Sequence, residues 1–294
     1  MFFSPIRYIE PLFRPPSEAY SLILQITYGC SWSRCAFCEM YSTKKFRVRP
    51  EDEVIREIRR VAPMFRDVRK IFLADGNAMV LSTARLMRII EVINECFPKL
   101  QRISAYALPG DLLPKKPEEL RQLRDAGLKL VYVGIESGDD EVLRLVDKGE
   151  TRASTVEGLQ KAREAGIRSS VMILTGLGGM KYSEQHAINS ARILNDVQPY
   201  YASTLVLSFP FGEKHYSEKF QGDYISMTTA DLLRELEIFI SHTELDSTIF
   251  RSDHASNYLV LKGVLSKDKE HFLEDIRYAL NNPEILRKEW MRGL

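Results

Sequence analysis

Short apolar runs alternate along the chain with segments whose apolar residues recur at helical spacing. The runs at residues 22–27, 70–74, 102–105, 129–135, 168–174 and 203–208 predict six strands. Residues 52–62, 83–97, 117–126, 155–165 and 183–195 predict the helices between them. Strict alternation of this kind predicts a parallel α/β fold. Gly127 after Ala126 and Gly166 after Ala165 supply the left-handed stop expected at a helix end. Pro50 followed by Glu51 and Asp52 fits a helix start, where negative charge is favoured. Residues 1–20, with Pro5, Pro11, Pro15 and Pro16, read as an extended arm. Beyond Pro210 the pattern changes to a loop at 211–227, an amphipathic helix at 229–242, a polar string at 251–257 and a last helix at 267–281. The chain therefore divides into an arm (1–20), a core (21–210) and a C-terminal extension (211–294).

Three of the four cysteines, Cys30, Cys35 and Cys38, fall within nine residues, directly after the first predicted strand. Thiolates crowded into one loop are a metal-binding pattern, because a soft cation can take all three at once. A structural zinc site closes its tetrahedron with four protein ligands. Here the fourth cysteine, Cys96, lies in a helical stretch beside Phe97 and reads as a packing residue. The nearest histidine, His186, is about 150 residues away. Three thiolates would leave one iron of a four-iron cluster without a protein ligand, open to a cofactor or substrate.

Cys35-Ala36-Phe37-Cys38 resembles the second half of the cysteine signature of the radical S-adenosylmethionine (radical SAM) superfamily, with its aromatic residue before the last cysteine. The first gap departs from the majority pattern, having four residues, Ser31 to Arg34, where three are usual. The resemblance spans about residues 20–210 and implies a partial (β/α)6 TIM-type barrel carrying a short N-terminal arm and a C-terminal helical and loop extension. It implies a 4Fe-4S cluster on Cys30, Cys35 and Cys38, with SAM as the second cofactor. Reactive groups of α/β barrels gather at the carboxyl ends of strands. There the resemblance places Asp75, Gly76 and Asn77 near the amino group of SAM, and Glu136 and Ser137 near its ribose or carboxylate. Phe37, Met172, Leu174 and Ser208 stand at the positions expected to meet adenine. The bland alternative for Glu136 is a helix-capping or surface acid, since Ser137 and Asp139 open a helix.

In the extension, Arg251, Asp253, His254 and Asn257 either close the barrel mouth over a substrate, with His254 as the catalytic candidate, or cap neighbouring backbone groups. Forty-one basic against 40 acidic residues gives a charge of +1, which makes no electrostatic case for nucleic acid. The basic runs at 56–60 and 66–70 alternate with apolar residues and read as solvated helix faces. No apolar stretch approaches a membrane span and no signal-peptide core is present, which with clustered thiols predicts a cytoplasmic protein. No second cysteine cluster, preceding cobalamin-sized domain or appended RNA-binding barrel is recognisable, which leaves a small-molecule substrate or a modification that needs only one cluster, the small molecule being the expectation. The implied reaction is reductive cleavage of SAM to a 5′-deoxyadenosyl radical that abstracts hydrogen. Its implied partner is an external one-electron reductant such as flavodoxin or ferredoxin. The alternatives are a non-catalytic iron-sulfur or zinc-binding protein on a barrel scaffold, an electron carrier, and a zinc enzyme.

Overall fold

The computed structural model describes residues 6–292; Pro5 and the rest of the first five residues of the expected arm lie outside them. The principal strands, paired mostly in parallel, are β1 (Leu22–Gln25), β2 (Lys70–Ala74), β3 (Arg102–Tyr106), β4 (Leu128–Glu136), β5 (Arg168–Thr175), β6 (Tyr201–Val206), β7 (Ile249–Ser252) and β8 (Leu261–Val264). Besides a single helical turn at Pro109–Leu112, the α-helices are α1 (Glu51–Val61), α2 (Thr83–Cys96), α3 (Pro117–Asp125), α4 (Asp140–Leu145), α5 (Arg152–Glu164), α6 (Gly179–Val197), α7 (Glu213–Lys219), α8 (Thr229–Ser241) and α9 (Leu265–Asn281). The six strands expected from the apolar runs are all present. The described residues separate into two compact units, one of residues 6–33, 38–133 and 157–169, the other of residues 34–37, 134–156 and 170–292.

In the first unit β1, β2 and β3 pair in parallel and β3 pairs with β4. Ile71, Phe72 and Leu73 are wholly buried, as a strand covered on both faces requires. Apolar residues at helical spacing, Val54, Ile58 and Val61 in α1 and Leu86, Ile89, Ile90 and Ile93 in α2, form the buried stripes. In α1 the intervening arginines stay exposed, as expected of a solvated face. Ser82 caps α2 by accepting from the Arg85 N–H. Gly127 and Gly166 take φ of +123° and +81° where α3 and α5 end. Cys96 is half-buried next to fully buried Phe97, and burial pushes its thiol pKa up. The arm is tied down through Glu18, whose buried carboxylate accepts from Tyr132 Oη at 2.6 Å and Ser104 Oγ at 3.0 Å.

In the second unit β5 and β6 pair in parallel, β7 adds in parallel and β8 closes antiparallel to β7. These last two strands correct the expectation of a helical and loop extension. Residues 251 and 252, assigned to a polar loop, belong to β7, and helix α7 lies inside the span expected to be a loop. The reason is visible in Ile249-Phe250-Arg251-Ser252: only Phe250 and Ser252 are buried, a period-two pattern too short to stand out in sequence.

Candidate functional site

In the first unit, the β2 end and the first cysteine interlock. Asp75 is fully buried, and its Oδ2 accepts from the Gly29 N–H at 3.2 Å, Gln25 Nε2 at 3.2 Å and Lys44 Nζ at 2.7 Å. Its other oxygen, Oδ1, is buried with no hydrogen-bond partner. The Asp75 N–H donates to Thr27 Oγ1. Asn77, also fully buried, accepts from the Ser31 N–H at 3.0 Å and donates through Nδ2 to Ser31 Oγ at 2.8 Å and to Asp111 Oδ2 at 2.9 Å. Between them Gly76 presses on Cys30: a methyl group there would stand 2.5 Å from Cys30 Cα and 2.3 Å from the Gly29 carbonyl oxygen. Tyr41 is buried too. Burial first, and then the neighbouring Asp75, pushes its phenol well above the ordinary range.

Cys30, Cys35 and Cys38 are half-buried thiols outside any disulfide. Among the described residues, no three His, Cys, Asp or Glu side chains are gathered closely enough to hold a metal ion as they stand. The segment at Cys35 is anchored in the second unit. The Ala36 N–H donates to the Val146 carbonyl at 2.8 Å, and Ala36 enters the apolar core of Val142, Leu145, Val146 and Leu174. Phe37 packs against the same core, with Lys148 Nζ 5.7 Å from its ring centre.

The β4 end carries the second buried acid. Glu136 has φ +65°, a conformation an L residue other than glycine, asparagine or aspartate seldom adopts. Such positions concentrate at sites of ligand contact. Its Oε1 accepts from Lys148 Nζ at 3.2 Å, both side chains being 6% exposed, and Oε2 is buried with no hydrogen-bond partner. Burial pushes the Glu136 pKa up, and Lys148 opposes that rise. The surface-acid alternative for Glu136 is therefore set aside. Helix α4 is capped by Asp139 instead, which accepts from the Val142 N–H at 2.9 Å. Ser137 does not cap the helix through Val142: its hydroxyl faces His186 Nδ1 at 2.7 Å and accepts from the Asp139 N–H.

His186 and Glu235 were not singled out as site residues by sequence, yet both are buried here. Glu235, on α8, accepts from the Gly176 N–H at 2.6 Å and Ser183 Oγ at 2.6 Å, and its Oε1 lies 3.7 Å from His186 Nε2. Lys44, Asp111 and Lys148 were missed as well, since an isolated lysine or aspartate carries no periodic or spacing signal. Of the residues assigned to adenine, Leu174 is buried, and Met172 and Ser208 are half-buried. The Leu207 N–H donates to the Thr175 carbonyl, which fixes the start of the 207–208 turn.

The polar string in the extension divides by role. Asn257 donates to the Thr204 carbonyl at 2.7 Å and accepts from the Val206 N–H at 2.9 Å, holding the β6 end. Arg251 stacks on Tyr201, and Asp253 pairs with Lys262 at 2.8 Å. His254 Nδ1 accepts from the Ser256 N–H at 3.1 Å, the Arg287 guanidinium binds the His254 carbonyl, and burial holds the imidazole pKa below its ordinary value.

The sequence model of the Radical SAM superfamily matches residues 24–191, which take in all three clustered cysteines and the β2 and β4 ends. The heme chaperone HemW of Bacillus subtilis is 24% identical over 159 residues, covering 53% of this chain and 41% of that protein. The GTP 3′,8-cyclase of Marinobacter nauticus is 29% identical over 147 residues, 49% of this chain and 42% of that protein. The matches thus span less than half the length of either relative. Among solved structures, the radical SAM enzyme coproporphyrinogen III oxidase (HemN) of Escherichia coli superposes with a TM-score of 0.60 at 21% identity, over 75% of this chain and 52% of that one. Methylornithine synthase (PylB) superposes with a TM-score of 0.52 at 15% identity, over 87% and 68%. At these identities the superpositions establish a shared fold.

Proposed function

Because this chain belongs to the radical SAM superfamily, whose enzymes use a 4Fe-4S cluster and SAM, we propose that it cleaves SAM reductively and uses the resulting radical to abstract hydrogen from a small-molecule substrate. The observation that carries the reading is the placement of Cys30, Cys35 and Cys38 inside the matched span, directly after β1. The residues fit the cofactors chemically. Three thiols stand outside any disulfide and are soft donors, Gly76 leaves no room for a side chain against Cys30, and buried Glu136 keeps an acceptor oxygen without a hydrogen-bond partner.

A bound, reduced cluster held by these thiols would supply the one-electron reduction on which reductive cleavage of SAM depends. The protein's own part is binding, orientation and exclusion of water. Cys30, Cys35 and Cys38 would hold the cluster, and the backbone at Gly76 is the candidate for the SAM amino group. Glu136 and Ser137 are the candidates for its ribose or carboxylate. Glu136 Oε2 is an acceptor suited to a hydroxyl, and Lys148 keeps the carboxylate from being an isolated buried charge. Phe37, Met172, Leu174 and Ser208 are assigned to adenine. His254 is the substrate-side candidate, and its ring nitrogen and carbonyl also hold the loop through Ser256 and Arg287. The two relatives, a heme chaperone and a GTP cyclase, differ in activity and so single out no substrate for this chain.

The electron donor would be an external one-electron carrier such as flavodoxin or ferredoxin, and the location the reducing cytoplasm. No helix among the described residues is long and apolar enough to cross a membrane. The test is anaerobic reconstitution, reduction with dithionite and assay of 5′-deoxyadenosine from SAM in wild type and Cys35→Ala. Product that requires Cys35 supports the reading. A protein that binds zinc in place of iron, or a cluster that forms equally in Cys35→Ala, overturns it.

A further inference from the structure

We infer that Asp75-Gly76-Asn77 is a clamp that sets the position of Cys30, with Asp75 and Asn77 acting as positioning residues through their side chains. The inference rests on the cluster reading above. It goes beyond that reading by giving these side chains a partner in the chain itself.

The two peptide N–H groups on either side of Cys30 are each taken by one jaw. Gly29 N–H donates to Asp75 Oδ2 and Ser31 N–H to Asn77 Oδ1, at 3.2 and 3.0 Å. Gly76, the residue between the jaws, stands against Cys30, the residue between the two donors, too closely for any Cβ. Two tripeptides are thus locked in register. The jaws are themselves fixed. Asn77 Nδ2 is held by Asp111, which also accepts from the Leu108 N–H at 2.9 Å, and Asp75 is held by Gln25 and Lys44. Every one of these groups lies in the first unit. Asn77 spends its amide hydrogens on Ser31 and Asp111, so its side chain serves the loop.

The clamp also accounts for the four-residue gap before Cys35. Cys30 is held from the β2 end and not by the length of the loop. The extra residue is accommodated in the exposed stretch after Cys30, where Ser33 turns with φ +49° and Ser31, Ser33 and Arg34 face solvent. Groups that hold a metal ligand from outside the ligand set typically change metal retention when removed.

The experiment compares wild type, Asn77→Ala, Ser31→Ala and Cys30→Ala after anaerobic reconstitution. It measures iron and sulfide content, the rate of iron loss to a chelator, and the electron paramagnetic resonance spectrum of the reduced cluster with and without SAM. Asn77→Ala should take up iron but lose it about 10-fold faster or more, with an altered reduced spectrum. Ser31→Ala, which changes an exposed side chain and spares the fold, should shift both readouts less and in the same direction. Wild-type retention and spectra in both variants would overturn the clamp, above all if Asn77→Ala instead raised KM for SAM. Wild-type iron content in Cys30→Ala would overturn the cluster reading itself, which separates that failure from failure of the clamp.

Discussion

Ser137 Oγ and His186 Nδ1 lie 2.7 Å apart, joining the residue after Glu136 to the middle of α6. On the other side of the ring, Nε2 is 3.1 Å from the Leu174 carbonyl, which can only accept, so Nε2 carries a proton. The β4 end and the β5 end are thereby joined through one buried imidazole. Replacing it with leucine leaves the Ser137 hydroxyl without its partner on the ring, while the Leu174 carbonyl keeps the Leu177 N–H. His186→Leu should lower stability by about 1–3 kcal/mol for the buried hydroxyl left short of a partner, read as a shift in the urea midpoint. A midpoint equal to wild type would show that these bonds carry no weight.

Gly76→Ala should fail more sharply than its size suggests. The added methyl would meet the Gly29 carbonyl oxygen and Cys30 Cα, both backbone, which cannot rotate away. We expect about 1–3 kcal/mol of overpacking strain and little or no iron bound after reconstitution. Full iron content in this variant would mean that the cysteine loop can move away from β2.

Lys148 and Glu136 form a buried pair, so removing only one of them should cost more than removing both. Lys148→Met should destabilise by about 3–5 kcal/mol, because an uncompensated carboxylate remains. Lys148→Met combined with Glu136→Gln should recover most of that loss. Additive effects in the double-mutant cycle would show that the two side chains are not coupled.

Glu136 and Glu235 are both buried, and burial raises each carboxyl above the ordinary 4.5. A carboxyl whose folded pKa exceeds its unfolded one stabilises the fold fully below the unfolded value, and this contribution is lost as pH rises through the folded value. Their joint contribution to stability should therefore fall as pH increases from about 4.5. Glu136→Gln and Glu235→Gln should each flatten that part of the profile, measured as denaturation midpoints across pH. Profiles parallel to wild type would exclude these carboxyls as its source.

His254→Ala removes the acceptor for the Ser256 N–H and should cost about 0.5–1.5 kcal/mol while leaving uncoupled SAM cleavage intact. If it also impairs substrate turnover, His254 serves the substrate side as well as the loop. Loss of cluster assembly would contradict both roles.

The sequence by itself determined the six parallel strands and the helices between them, because periods of 2 and 3.6 and glycine stops are local signals. It likewise placed three thiols within nine residues, since that spacing needs no folding to be seen. Only the tertiary structure decided what the strand-end residues hold. Asp75 and Asn77 meet Gly29 and Ser31 from 46 positions away, and Glu235 reaches Gly176 across 59. Lys148 finds Glu136 because the chain turns back after α4. Such pairings are made by packing two distant segments together, and a buried carboxylate and a solvated one are written with the same letter. The last two strands escaped notice for a related reason: four residues with one or two buried side chains carry too little pattern to be recognised before a neighbour, β6 for β7 and β7 for β8, supplies their hydrogen bonds.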